Sequence, residues 1–218
     1  VVGRALLQMA PRHELVLASK VFYPMSDAPN DGGLSRAHIL SSIDASLERI
    51  GTDHLDLWIV HAFDPDTPIE ETMRALDDVV RSGKVRYLGA STMYAWQFAQ
   101  KNAVARANGW TAFVNMQCQY SLLYREEERE MMPYCADQGI AVTTFSPLAR
   151  GYLTGVARSA RTQHDPYLEW FVDEIVVEIA SRVRKVAVDR GVPVRHVAMA
   201  WVTASPRVTV PLIGADSL

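Results

Sequence analysis

Positions 55–91 decide the fold. They read Leu55-Asp56-Leu57-Trp58-Ile59-Val60-His61, then Thr67-Pro68-Ile69-Glu70 opening a helical pattern that ends near Gly83, then Val85-Arg86-Tyr87-Leu88-Gly89-Ala90-Ser91. Each flanking run is short, apolar and rich in β-branched or aromatic residues, which marks a buried strand. The segment between them is too long for a hairpin and helical in pattern, so the two strands are expected to run parallel. Thr67-Pro68-Ile69-Glu70 has the form of a capping box: a hydroxyl at the N-cap, proline at the first helical position and glutamate at the third.

The same alternation extends in both directions. Upstream lies Leu15-Val16-Leu17-Ala18-Ser19-Lys20, then a helix from Ser35 to Ile50 that stops at Gly51, a residue common just past a helix end. Downstream come a helix to about Asn108, the run Phe113–Gln117, a helix through Glu127–Asp137, the run Ile140–Phe145, helical stretches over Tyr167–Arg190 and Val194–Ala204, and a last run, Val208–Ile213. Six strand signals separated by helices fit either an open doubly wound sheet or a closed barrel. No G-x-G-x-x-G follows any strand, which counts against the open sheet. The polar residues Ser19-Lys20, His61, Ser91-Thr92, Gln117 and Ser146 all fall at strand C-termini, where barrel enzymes keep their chemistry. The expected fold is therefore α/β, a (β/α)8 TIM barrel with about six of its βα units present, and no linker or repeat divides residues 1–218 into more than a single domain. A full barrel takes eight units and typically ~250 residues. The opening Val1–Leu7 also reads as the tail of a helix already under way, so the barrel is expected to lack its N-terminal strands and its C-terminal segment.

Composition narrows the function classes. The 218 residues are 49% hydrophobic and 22% charged, with a net charge of −3, an ordinary globular balance. No basic stripe with interleaved aromatics suggests nucleic acid, no apolar run is long enough to span a membrane, and no signal peptide is legible at the start. Two cysteines, Cys118 and Cys135, point to a reducing cytoplasm rather than a disulfide framework. The six histidines make no H-E-x-x-H, the cysteines no C-x-x-C, and neither a G-x-S-x-G elbow nor a Walker loop occurs, so no metal site is expected. Glu126-Glu127-Glu128 reads as a solvated helix start.

The strand ends carry the candidate chemistry. Lys20 is either a snorkelling strand end or an ammonium that perturbs a neighbour or forms a Schiff base. His61 is either a structural histidine or, at the same rim as Lys20, part of one pocket. Ser91, Thr92 and Gln117 add hydroxyl and amide groups, although serine and threonine also commonly begin helices. Ser146-Pro147-Leu148-Ala149-Arg150-Gly151 is either a simple turn or a loop offering backbone N–H groups and an arginine to a pyrophosphate.

In this order these residues resemble the aldo-keto reductase superfamily, closest to its versiconal-reductase-like and aryl-alcohol-dehydrogenase-like branch. The resemblance rests on Ala18-Ser19-Lys20, Arg49–Leu57 with His61, Asp64–Thr72, Gly83–Ser91, Gln119–Leu123, Ser146–Gly155, Val197–Trp201 and Pro211–Ala215, and runs along essentially the whole chain. It implies an NAD(P)H-dependent reduction of an aldehyde or ketone by a tetrad of Asp, Tyr, Lys and His. Lys20 would be the tetrad lysine and His61 the histidine, while Asp and Tyr would precede the Gly3–Leu6 pattern. A cation beside a phenol lowers its pKa, and a neutral imidazole can orient a carbonyl and stabilise developing oxyanion charge.

By the same resemblance Ser91 and Gln117 hold the nicotinamide carboxamide, Thr92 stands where the family often has Asn, and Phe145 stacks on the nicotinamide. Ser146, Leu148 and Arg150 fall on the pyrophosphate loop, and Gly214, Ala215 and Ser217 open the adenosine-phosphate site. NADP(H) is the implied cofactor with NAD(H) the alternative, since Asp216 near the 2′-phosphate position would weaken the preference. The step from Gly155 to Arg158–Ala160 is abrupt where the family has a longer loop, so residues are expected to be missing there. The partner is a small carbonyl compound, with no nucleic acid and no membrane. Two other readings stand beside the reductase: a cofactor-binding regulatory subunit with little turnover, and an inactive fragment of a barrel.

Overall fold

The computed structural model describes residues 2–155, 165 and 172–214. Its strands and helices alternate as β1 (Ala18–Val21), α2 (Arg36–Ile50), β2 (Leu55–Val60), α3 (Ile69–Arg81), β3 (Val85–Ser91), α4 (Ala95–Ala107), β4 (Phe113–Gln119), α5 (Met131–Asp137), β5 (Ala141–Phe145), α6 (Glu174–Arg190), α7 (Val194–Thr203) and β6 (Val210–Pro211), after a leading α1 (Val2–Met9). The six strands form one sheet in the order β1-β2-β3-β4-β5-β6, and the pairs β1–β2, β2–β3 and β5–β6 are parallel. A parallel sheet with strands in chain order and a helix at nearly every crossover is the topology of consecutive βα units of a (β/α)8 barrel. The chain divides into two compact units, Val1–Met116 and Gln117–Leu218, with the boundary inside β4.

In the first unit the core is built by Leu34, Ile39, Ile43, Leu55, Trp58, Ile59, Met73, Leu76, Leu88, Phe98 and Phe113, each 2% exposed or less. β2 is buried along most of its length, as a parallel strand covered by helices must be. α2 starts where the sequence indicates: the Ser35 hydroxyl accepts the His38 N–H at 3.3 Å. It stops at Gly51, whose φ of +82° is open to glycine without strain.

The start of α3 differs from the expected capping box. The N-cap position is Pro68, and the Thr67 hydroxyl instead donates to Asp64 Oδ2 at 2.8 Å. The helix starts one residue later than the capping pattern indicates, so Thr67 lies just before the N-cap and its hydroxyl serves the loop instead.

In the second unit α6 buries one stripe, Val176, Ala180, Val183 and Ala187, spaced by four, three and four residues. Val176, Ala180 and Val183 pack with Leu123, Ala149, Leu153 and Ala198. The three glutamates 126–128 form a 3-10 turn rather than the start of α5, and they are not uniformly solvated. Glu128 accepts the Tyr120 hydroxyl at 2.6 Å and the Arg125 guanidinium at 2.7 and 2.9 Å. Partial burial pushes Glu127 up to about 6. The last strand is two residues long, shorter than the run Val208–Ile213.

Candidate active site

In the first unit the β-sheet register fixes which side chains share a face. Lys20 pairs with Ile59, and Ile59 with Gly89. Paired residues of parallel neighbours point to the same side, as do residues two apart along a strand. Lys20, His61 (two beyond Ile59) and Ser91 (two beyond Gly89) therefore project from one face at the C-terminal ends of three adjacent strands. The His61 N–H donates to the Val21 carbonyl at 2.9 Å, which continues the β1–β2 pairing to the strand end.

The electrostatics of this face follow from burial and proximity. The His61 imidazole is held below the usual histidine range, first by burial and then by the Lys20 charge. A neutral ring is thus favoured near pH 7. Lys20 is exposed as a residue, yet partial burial of its ammonium lowers its pKa from the usual lysine value. The ring of Tyr23 meets the His61 imidazole edge-on, with centroids 4.8 Å apart at 80°, and Phe22 packs on Tyr23 at 5.1 Å.

At the end of β3, Ser91 is 1% exposed and its hydroxyl lies 3.2 Å from that of Thr92. Thr92 has φ +47°, a conformation that costs a β-branched residue more than most. Neither residue caps α4. That role falls to Tyr94, whose N–H donates to the Gln97 side chain at 2.9 Å.

In the second unit Gln117 is buried at 6% exposure near the end of β4, and Phe145 ends β5 half-buried. The loop that follows is unusual. Ser146, Ala149 and Arg150 have φ of +55°, +48° and +55°, and Gly151 has +98°. Three non-glycine residues in the left-handed region within five positions persist because the loop is pinned, with Ala149 at 0% and Leu153 at 1% exposure in the core of this unit. Such strain collects at ligand clamps. Backbone N–H groups alternating between left- and right-handed residues also make anion-binding concavities. The Arg150 Nε is 2.5 Å from Asp165 Oδ2. Leu148 accepts the N–H groups of Gly151 and Leu153, which shapes the turn. Gly214 is exposed, and Ser217 with Ala215 and Asp216 lies outside the described residues, as does Arg158–Ala160. Among the described residues no three side chains gather as metal ligands, and no helix is long and apolar enough to cross a membrane.

Three groups that sequence reasoning passed over matter here. Tyr23 covers His61, Asp64 ties the rim loops together, and Lys101, in α4, is fully buried. In α4 polar and apolar residues are mixed on every face, with Gln97, Lys101 and Asn102 buried beside Phe98 and Ala105, so only the packing reveals this lysine.

All 218 residues match the model of the aldo/keto reductase family. The chain belongs to that family. It is similar to an aldo-keto reductase of Fusarium vanettenii, 46% identical over 212 residues that cover 94% of this chain and 55% of that protein. It is also similar to the versiconal hemiacetal acetate reductase of Aspergillus parasiticus, 39% identical over 242 residues covering 100% of this chain and 70% of that one. A putative aryl-alcohol dehydrogenase of Schizosaccharomyces pombe is 40% identical over 219 residues, covering 88% of this chain and 62% of its own. The chain thus spans between about half and about seven-tenths of these aldo/keto reductase relatives.

Proposed function

We propose that this chain is the larger part of a single-domain carbonyl reductase that uses NADP(H), with NAD(H) the alternative, to convert an aldehyde or ketone to an alcohol. The observation that carries the reading is the shared face of Lys20, His61 and Ser91 at three neighbouring strand ends, with the imidazole held neutral by burial and by Lys20. A neutral imidazole donates a hydrogen bond to a carbonyl oxygen and stabilises negative charge developing there. An ammonium next to a phenolic proton donor favours its ionised form and tunes its acidity toward neutral pH. That assigns His61 to orienting the carbonyl and Lys20 to tuning the tetrad tyrosine that the family resemblance implies.

The residues fit a nicotinamide nucleotide in their chemistry. The first unit offers the Ser91 and Thr92 hydroxyls for a carboxamide. The second offers the Gln117 amide, the Phe145 ring, and the strained Ser146–Gly151 loop with Arg150 for a pyrophosphate. When bound, the nucleotide supplies hydride. Gly214 and Ser217 are assigned to its adenosine end by resemblance alone. The free thiols of Cys118 and Cys135, both buried, support a cytoplasmic setting.

The deciding experiment is NADPH oxidation by the full-length protein with an aromatic aldehyde, run beside fluorescence titration of the nucleotide. Saturable turnover is expected. Tight nucleotide binding without turnover would replace the reductase reading with a regulatory cofactor-binding subunit, and absence of both would leave neither.

A further inference from the structure

Lys101 is 0% exposed, and its ammonium has no hydrogen-bond acceptor among the described residues. The Nζ instead sits 5.1 Å from the centroid of the Phe63 ring, a cation–π geometry. Burial lowers its pKa to about 8, and the neighbouring Asp64 carboxylate opposes that shift. A buried ammonium without a direct partner is a costly group for a helix that could hold methionine there. Its neighbours suggest what it does.

Phe63 and Asp64 lie two and three residues past His61. Asp64 is itself 5% exposed and joins two loops. Its Oδ2 accepts the Leu34 N–H at 2.6 Å and the Thr67 hydroxyl at 2.8 Å, and its Oδ1 accepts the Asp66 N–H at 2.9 Å. Gly33, at φ +73°, lets the chain pass so close that a Cβ there would be 2.8 Å from Asp64 Oδ2. Leu34 closes the segment that begins at β1 and carries Tyr23, the residue whose ring covers the imidazole. Against the cost of burial, the Asp66, Thr67 and Leu34 hydrogen bonds hold Asp64 ionised first, with the Lys101 charge adding to them, and an ionised Asp64 holds both loops.

We propose that Lys101 is a positioning residue for His61: its buried ammonium, stacked on the ring of Phe63, the residue next to Asp64, steadies the two rim loops that Asp64 ties together around the imidazole. The proposal rests on the reductase reading only for the use made of His61, not for the packing. The groups that bear on the imidazole are then Lys20 directly, and Lys101 with Asp64 through the loops.

The test uses full-length protein labelled at histidine 13Cε1, with the His61 signal assigned by His61→Gln. In Lys101→Met the His61 signal should shift and its titration midpoint should rise toward the ordinary histidine value, while Lys101→Arg should return both toward wild type. In the same samples kcat for an aldehyde should fall about tenfold in Lys101→Met with nucleotide affinity unchanged, the pattern of a misplaced catalytic group. A folded Lys101→Met protein with an unmoved His61 signal would overturn the proposal. If that variant does not fold, Asp64→Asn decides instead: a shifted His61 signal supports the proposal, and an unchanged one overturns it. A wild-type protein without turnover but with these shifts would remove the reductase reading and leave the positioning role standing.

Discussion

The edge of the Tyr23 ring rests on the His61 imidazole, centroids 4.8 Å apart, although Tyr23 itself is 56% exposed. An aromatic lid of this kind strips water from one side of the imidazole, and burial is the leading reason that its pKa is lowered. Tyr23→Ala should therefore raise the His61 titration midpoint, read by histidine NMR, and Tyr23→Phe should leave it near wild type. Equal midpoints in wild type and Tyr23→Ala would mean that other groups bury the ring.

Lys20→Met should remove most carbonyl reduction, by ~10²–10⁴ in rate, while nucleotide affinity stays within about twofold. It should also raise the His61 midpoint, because the Lys20 charge contributes to lowering it. The checks are steady-state NADPH oxidation, nucleotide fluorescence titration and histidine NMR. Near-wild-type turnover would reduce Lys20 to a snorkelling strand end.

Thr92 occupies φ +47°, a conformation that asparagine adopts at less cost than threonine. Thr92→Asn should shift the urea midpoint upward at constant slope, by about 1 kcal/mol, from the general cost of backbone strain. A lower midpoint would show that the Ser91–Thr92 hydroxyl contact outweighs the strain.

Asp165 pairs with Arg150, so the carboxylate competes with any phosphate for that guanidinium. Asp165→Asn should tighten nucleotide binding several-fold at low salt and less at high salt. Unchanged affinity would separate Arg150 from the pyrophosphate.

Lys101 gives stability a pH dependence whose sign is fixed. Its folded pKa is about 8 against an ordinary 10.5, so between these values the unfolded chain binds a proton that the folded protein has shed. The Lys101 contribution to stability therefore rises with pH across that window, by about 3 kcal/mol in all, while the buried thiols of Cys118 and Cys135, whose pKa values are raised, contribute in the opposite sense. Lys101→Met should flatten this rise and be the more stable protein at pH 7. Denaturant midpoints of both proteins from pH 7 to 11 give the answer, and parallel curves would refute it.

Much of the architecture is legible without coordinates. The runs at 55–61 and 85–91 are strands because β-branched and aromatic residues suit a sheet covered on both faces, and the helix-length connection between them is the crossover that their parallel pairing needs. Ser35 and Gly51 bound α2 through local chemistry: a hydroxyl for an orphan N–H, and a residue free to turn left-handed. Lys20, His61 and Ser91 were legible as polar residues ending apolar strands.

Tertiary packing decided what local signals could not. Thr67 has the sequence form of a cap, yet the helix starts one residue later and the hydroxyl donates to a carboxylate three residues earlier. Glu126–Glu128 looks like a solvated run, yet the fold buries part of Glu127 and commits Glu128 to Tyr120 and Arg125. Lys101 looks like any surface lysine until α4 turns it beneath Phe63. The division has one physical origin. Hydrogen bonds and side-chain periodicity within a few residues are set by neighbours along the chain, so the sequence by itself determined the order, type and direction of the βα units. Burial, register across strands and the field at a titrating group depend on residues far away in sequence, so the tertiary structure alone decided that Lys20, His61 and Ser91 share a face and that Lys101 stands behind them.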